Sequence, residues 1–421
     1  MIIIPFLFFL GLFVFIIKRN GFDVSACITM MYVITTFFSV ILGNYDYQFP
    51  YENYSEIEIG IIPTIVFCFT IGICIYPFYK YNSNKKRSLL IISQDGIKLL
   101  NFIVYSYFIS FILLFAIFWE DLLFRFLFGN MSELRNLQYE GELPNVLDTK
   151  TGIIRVVGGL LTIVGDGAYF MIPCFFYSVC ALKKKTIYNL MIILSSLSPV
   201  LLGIINIDRS KTSFWIMLFV LSFVLFRQYI VTKEQKKTLK KMMFSIGGLL
   251  LLYLTVVTVS RFGERDSGTS GGLLVYLGQP FINFCKIWDN IDSNHFFTSR
   301  VLPLVTFALY GNSGTNEVVD YIMSSASRTG LHLNVFFTFV GMFLVDLGHI
   351  ACILIPVFLS VVITNLLRSI RNSNYLTFPS IMLIFAFATI LQCGIIIYFY
   401  TTVPRALAFW FFIIMSKRLI K

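Results

Sequence analysis

The chain is 421 residues long, and 57% of it is apolar, 17% aromatic and only 13% charged, with a formal net charge of +11. That is more hydrophobic surface than a soluble core of this length hides, so lipid must cover the rest, and neither a soluble nor a disordered chain fits. Cys27, Cys68, Cys74, Cys174, Cys180, Cys352 and Cys393 lie in apolar runs and Cys285 alone in a polar segment, which implies neither a disulfide framework nor a thiolate metal site.

Apolar runs long enough to cross a hydrocarbon layer of roughly 30 Å as helices recur along the whole length. Eleven spans are expected, at about 2–17, 24–42, 59–79, 99–119, 153–181, 187–206, 212–231, 242–260, 349–367, 376–400 and 404–416. The fold class is therefore all-α, a polytopic integral membrane protein with one transmembrane domain over 1–421. The first run, Ile2 to Ile17, has no basic residue before it, Lys18-Arg19 after it and no small-residue cleavage pattern, so it reads as an anchor rather than a secretory signal.

Lysine-rich connections stay in the cytoplasm. Lys80 to Lys98, Lys183-Lys184-Lys185, Lys233 to Lys241, Arg368 to Arg371 and the tail Lys417-Arg418 with Lys421 all fall on one side, which puts the N-terminus outside and the C-terminus in the cytoplasm. That side holds 21 Lys and Arg against 3 acids, net +18, and the other 12 against 19, net −7, which together return +11.

On the outer side, the first loop spans 120–152, where Arg125 and Arg135 are expected to form ordinary surface ion pairs. In the fifth run, Asp166 lies between Gly165 and Gly167 near the middle of 29 apolar residues; a carboxylate there needs a partner or water, and its glycines suggest a local break. Asp208-Arg209-Ser210-Lys211 forms the whole turn between the sixth and seventh spans, against the positive-inside bias. Arg261-Phe262-Gly263-Glu264-Arg265-Asp266, followed by a glycine-rich stretch, opens the large outer loop 261–348, in which Gly272 to Cys285 and Leu331 to Val345 are apolar enough for short interfacial helices or a re-entrant piece. Asp346 is expected to cap the ninth span, and Arg155 and Arg405 to snorkel from outer helix ends. No internal repeat argues for an inverted-repeat transporter.

The type of basic residue reverses across the membrane, with 15 Lys and 6 Arg inside but 3 Lys and 9 Arg outside. Lysine suffices for orientation, whereas the planar guanidinium fork suits bidentate binding of phosphate or carboxylate. Arg209, Lys211, Arg261 and Arg265 are the leading anion-binding candidates, with Arg300, Arg328, Asp166 and Asp208 as further substrate-binding residues. His295, His332 and His349 all lie outside without metal-ligand spacing; His332 is the best histidine candidate for a general base.

Three pieces in this order resemble the Wzy family of O-antigen and capsule repeat-unit polymerases. They are the turn Ile207-Asp208-Arg209-Ser210-Lys211-Thr212, Arg261 opening a late outer loop, and Thr338-Phe339-Val340-Gly341-Met342-Phe343-Leu344-Val345-Asp346-Leu347-Gly348. The resemblance covers roughly the second half of the chain. It implies a GT-C-like glycosyltransferase of the bacterial inner membrane, acting at the periplasmic face on undecaprenyl-diphosphate-linked glycans without nucleotide sugar, metal or other cofactor. Its partners would be those lipid-linked glycans, membrane lipid and a chain-length regulator protein, with no nucleic acid. Arg209, Arg261 and Arg265 would hold the diphosphates, and Glu264, Asp266, Asp208 or His332 would deprotonate the acceptor hydroxyl. Tyr276, Trp288 and Tyr310 are candidates to stack on sugar rings, although each is more ordinary as packing. An O-antigen ligase shares layout and donor and differs in acceptor. A flippase for the same lipids predicts cations across the depth of the spans, and a membrane acyltransferase a buried His with a neighbouring acid.

Overall fold

The computed structural model describes residues 1–44, 48–49, 52–127, 146–147, 149–262, 268–291, 300–309, 311 and 336–418. They are overwhelmingly helical, with four strands of two residues each. Helices α1 (Ile3–Asn20), α2 (Val24–Asn44), α3 (Ile61–Tyr81) and α4 (Gln94–Leu127) come first. Next come α5 (Gly152–Asp166), α6 (Met171–Tyr177), α7 (Thr186–Ser195), α8 (Ser198–Ile205), α9 (Arg209–Phe226), α10 (Lys233–Met242) and α11 (Gly248–Phe262). Then follow α12 (Gly268–Asn290), α13 (Thr338–Asn372), α14 (Phe378–Cys393) and α15 (Val403–Arg418). Among the described residues, eight helices are long and apolar enough to cross a membrane, nine if the bent pair Gly152–Asp166 and Ala168–Leu182 is one span. On α13, Ile350, Leu354, Phe358 and Val361 are 76%, 59%, 67% and 54% exposed, a stripe at helical spacing that needs lipid rather than water beside it.

By contacts the chain divides into two compact units. The first comprises Met1–Arg87, Ser270–Asn374 and Ala386–Ala406. Its core is aromatic: Phe9 stacks on Tyr32 and meets Phe67 edge-on, and Phe67 continues to Phe281 and Phe284. Ser360 Oγ donates to Ile73 O at 2.7 Å and Cys74 Sγ to Pro356 O, tying α3 to α13. The turn after α1 meets the end of α3, where Asn20 Nδ2 donates to Tyr79 O and Asn84 Nδ2 to Asn20 O. Lys85 Nζ reaches Arg371 O at 3.4 Å. The helix ends that the lysine pattern assigns to one side therefore meet within this unit.

Gly278 of α12 allows a close crossing of α2: a Cβ there would stand 2.7 Å from Phe38 O, while Ser39 Oγ donates to Gly278 O at 2.6 Å. Gly278→Ala must push these helices apart. A loss of about 1–3 kcal/mol is expected, read as a lower thermal transition of the purified protein in detergent.

The second unit comprises Ser88–Thr269, Tyr375–Phe385 and Leu407–Lys421. Its core runs through Phe170 stacked on Phe412, Phe176 on Phe226 and Trp215 on Phe219. Ser88–Leu89 pairs in parallel with Tyr375–Leu376, and Tyr177 Oη donates to Leu90 O, so connections assigned to one side again meet.

Two expected boundaries and the placement of one cysteine are corrected. The fourth span runs from Gln94 to Leu127, 34 residues and about 51 Å of helix, so residues 120–127 extend the helix instead of opening the loop. The sixth span is met by the 20-residue apolar stretch Thr186–Ile205, with a local turn between Ser195 and Ser198 where serine hydroxyls bond to backbone carbonyls and Pro199 starts α8. The run 376–400 stays helical only to Cys393, because Gly394 O turns to accept the N–H of Phe339 at 2.7 Å. Cys285, placed in a polar segment by composition, is fully buried on the apolar face of α12. All eight cysteines are free and buried.

Candidate functional site

The turn between α8 and α9 is built by its own residues. Ile207 takes a left-handed φ of 53° and Asp208 N donates to Gly203 O at 2.7 Å. A Cβ on Gly203 would stand 2.7 Å from Asp208 O, so glycine is required for the chain to double back. Asp208 then caps α9, its Oδ1 accepting from Ser210 N at 2.9 Å and Ser210 Oγ at 2.6 Å. Arg209 thereby occupies the first position of α9, half-buried, with Nη1 donating to Thr258 Oγ1 at 3.4 Å. Thr258 lies in α11 one turn before Arg261, and Ile207 packs on Tyr253 and Val257 of the same helix. Arg209 and the backbone of Arg261 thus share one end of this unit.

Asp166 ends α5, and the span bends there by 43°, the break suggested by its flanking glycines. Gly165 is tightly packed: a Cβ would lie 3.0 Å from Leu114 Cδ1 and 3.2 Å from Leu202 Cδ1, so these side chains would have to shift. Lys211 Nζ stands 3.0 Å from Asp166 Oδ1 with both side chains largely buried, and Tyr169 Oη donates to Lys211 O at 3.0 Å. Two charges that would each be costly at this depth neutralise one another and tie the broken span to α9. Asp166, 45 positions before Lys211, therefore joins the turn residues Asp208, Arg209 and Lys211 in one cluster, with a half-buried arginine beside a buried ion pair. Such a cluster can hold an anion at a helix N-terminus.

Arg300 belongs to the other unit. Its Nη1 lies 3.8 Å from Met342 Sδ, and burial pulls its guanidinium below the usual pKa while the Asp346 carboxylate pulls it back up. Asp346, expected to cap the ninth span, instead lies within the helix Thr338–Asn372, two residues before its kink at Gly348 with φ 85°, and its Oδ2 accepts from Val301 N at 2.9 Å. Asp346→Ala leaves Val301 N–H and Arg300 without this carboxylate. A loss of about 2–4 kcal/mol is expected, measured as thermal stability, with Asp346→Asn losing less.

Two further arginines depart from expectation. Arg405 does not snorkel: it is buried, donates to Phe399 O at 3.3 Å and lies 5.1 Å from the Phe399 ring centre. Arg125 is also buried, near Asp121, which pairs with Lys150 at 2.8 Å, and among the described residues it forms no surface ion pair. Arg405 went unrecognised as a buried cation, and the Phe399-Tyr400 aromatics just ahead of Pro404 were its only local signal. Tyr276 meets Phe336 edge-on, and Trp288 packs on Phe284 and His349. His349 Nε2 lies 2.9 Å from Trp288 O, an acceptor, so that nitrogen carries the proton. Glu264, Arg265, Asp266, His295, Tyr310, Arg328, His332 and Arg135 lie outside the described residues, as does the Arg261 side chain.

No protein-family model, curated protein or solved structure matches this chain.

Proposed function

We propose that this chain polymerises oligosaccharide repeat units carried on undecaprenyl diphosphate, by glycosyl transfer at the periplasmic face of the bacterial inner membrane. The reading includes eleven spans with the N-terminus outside, a GT-C-like arrangement, and a product that is O-antigen or capsule. One observation carries it: Arg209 stands at the start of α9, bonded to Thr258 one turn before Arg261, on the side assigned to the outside by charge. In the reaction, the bond from the anomeric carbon to the diphosphate oxygen breaks as the terminal hydroxyl of a second lipid-linked unit attacks. The departing diphosphate gains charge, and guanidinium groups fixed beforehand stabilise it without waiting for solvent to reorganise. Arg209, Arg261 and Arg265 serve that role. Lys211, held by Asp166, stiffens the first of them, and the acceptor proton passes to Asp208, Glu264, Asp266 or His332.

The test is complementation of a strain lacking its own polymerase, reading the ladder of glycan lengths. Long chains with the wild-type protein support the reading. Single capped repeats with the wild-type protein overturn it, and single repeats restored to lipid A core in a strain lacking its own ligase assign the chain to ligation instead.

A further inference from the structure

At the opposite end of the first unit, α3 and α13 enclose a cavity of about 230 Å³ lined by Tyr76, Lys80, Thr364, Arg368 and Arg371 among others. Three of these carry positive charge and none of the lining residues is acidic. Among the described residues no carboxylate stands within ion-pair distance of the three. Lys80 Nζ lies 5.3 Å from the centre of the Tyr76 ring, and Lys85 Nζ donates to Arg371 O at 3.4 Å. On α3 the exposed apolar face that passes through Phe69 and Tyr76 runs into Lys80, and on α13 the stripe Leu354, Phe358, Val361 runs into Arg368. Three convergent cations therefore cap a lipid-facing apolar surface, at the end where the lysine pattern puts the cytoplasm.

We propose that this cavity binds the phosphodiester of an anionic phospholipid headgroup, with its acyl chains along the two apolar stripes. Cations on the cavity wall match one phosphate, and a basic pocket between helices at the cytoplasmic boundary suits such headgroups. The apolar surface leading into it selects a lipid over a free phosphate ion. The inference is independent of the polymerase reading, since it rests on α3 and α13 of the first unit and on none of the residues proposed to act on the glycan.

The test uses the purified full chain in neutral detergent with fluorescent phosphatidylglycerol, phosphatidylcholine and inorganic phosphate as probes. Phosphatidylglycerol is expected to bind roughly a hundredfold more tightly than phosphatidylcholine, at about a factor of five for each of the three cations. The variant Lys80→Gln/Arg368→Gln/Arg371→Gln is expected to lose that margin, and the charge-keeping variant Lys80→Arg/Arg368→Lys/Arg371→Lys to retain most of it. Lys236→Gln/Lys237→Gln/Lys240→Gln on α10, equally basic, is expected to bind as the wild type does. Equal binding of the two lipids, an unchanged triple variant, or equal loss in the α10 control overturns the proposal. Displacement of phosphatidylglycerol by millimolar phosphate identifies a small-anion site and overturns it too.

Discussion

Lys211→Ala is expected to destabilise the second unit by about 3–5 kcal/mol, the penalty typical of removing one partner from a buried ion pair. Asp166 sits where α5 breaks, with Gly165 wedged between Leu114 and Leu202, so its carboxylate cannot swing out to water without unpacking the bend. Asp166→Ala should cost a similar amount by stranding the ammonium. The double variant Asp166→Leu/Lys211→Met should recover most of the loss, because the desolvation of both charges disappears together. Thermal unfolding of the purified proteins in one detergent measures all three. Single variants as stable as the wild type would show that the pair does not hold the break.

Arg209→Ala should behave in the opposite way. Its side chain is half-buried and its bond to Thr258 is long, so the stability loss should be smaller than that of Lys211→Ala, whereas chain extension should fall roughly 10²–10³-fold, as when one fixed donor to a developing anion is removed. Arg209→Lys keeps the charge but not the planar fork and should recover only part of the rate. A variant that keeps both stability and glycan length would remove Arg209 from the site. Comparison with Lys211→Ala, which loses stability first, separates a group that acts on substrate from one that holds its neighbour in place.

Much of the helical architecture was legible because span length and apolarity are local properties. The break at Gly165-Asp166-Gly167 and the short turn 208–211 were visible for the same reason, glycines flanking a buried acid and a charged connection between two apolar runs, whereas the capping role of Asp208 was not. Partners were not legible. Asp166 and Lys211 are 45 positions apart, and nothing in either neighbourhood names the other. Arg405 looked like a snorkelling residue because sequence gives its distance from a span end but not the Phe399 carbonyl that folds over it. The early stop of α14 depends on Phe339, which claims the Gly394 carbonyl from far away in the chain. The Arg-for-Lys reversal on the outer side pointed to the turn that forms the cluster, but could not tell that Lys211 would be engaged by Asp166 while Arg209 stays half-exposed.

The most direct measurement is reconstitution of the purified chain in liposomes with lipid-linked repeat units extracted from its source strain after deletion of this gene. A ladder of lengthening glycans, with one undecaprenyl diphosphate released per unit added and with both lost in Arg209→Ala, is the predicted result. Repeat units that stay single while the folded wild-type protein is present would contradict it.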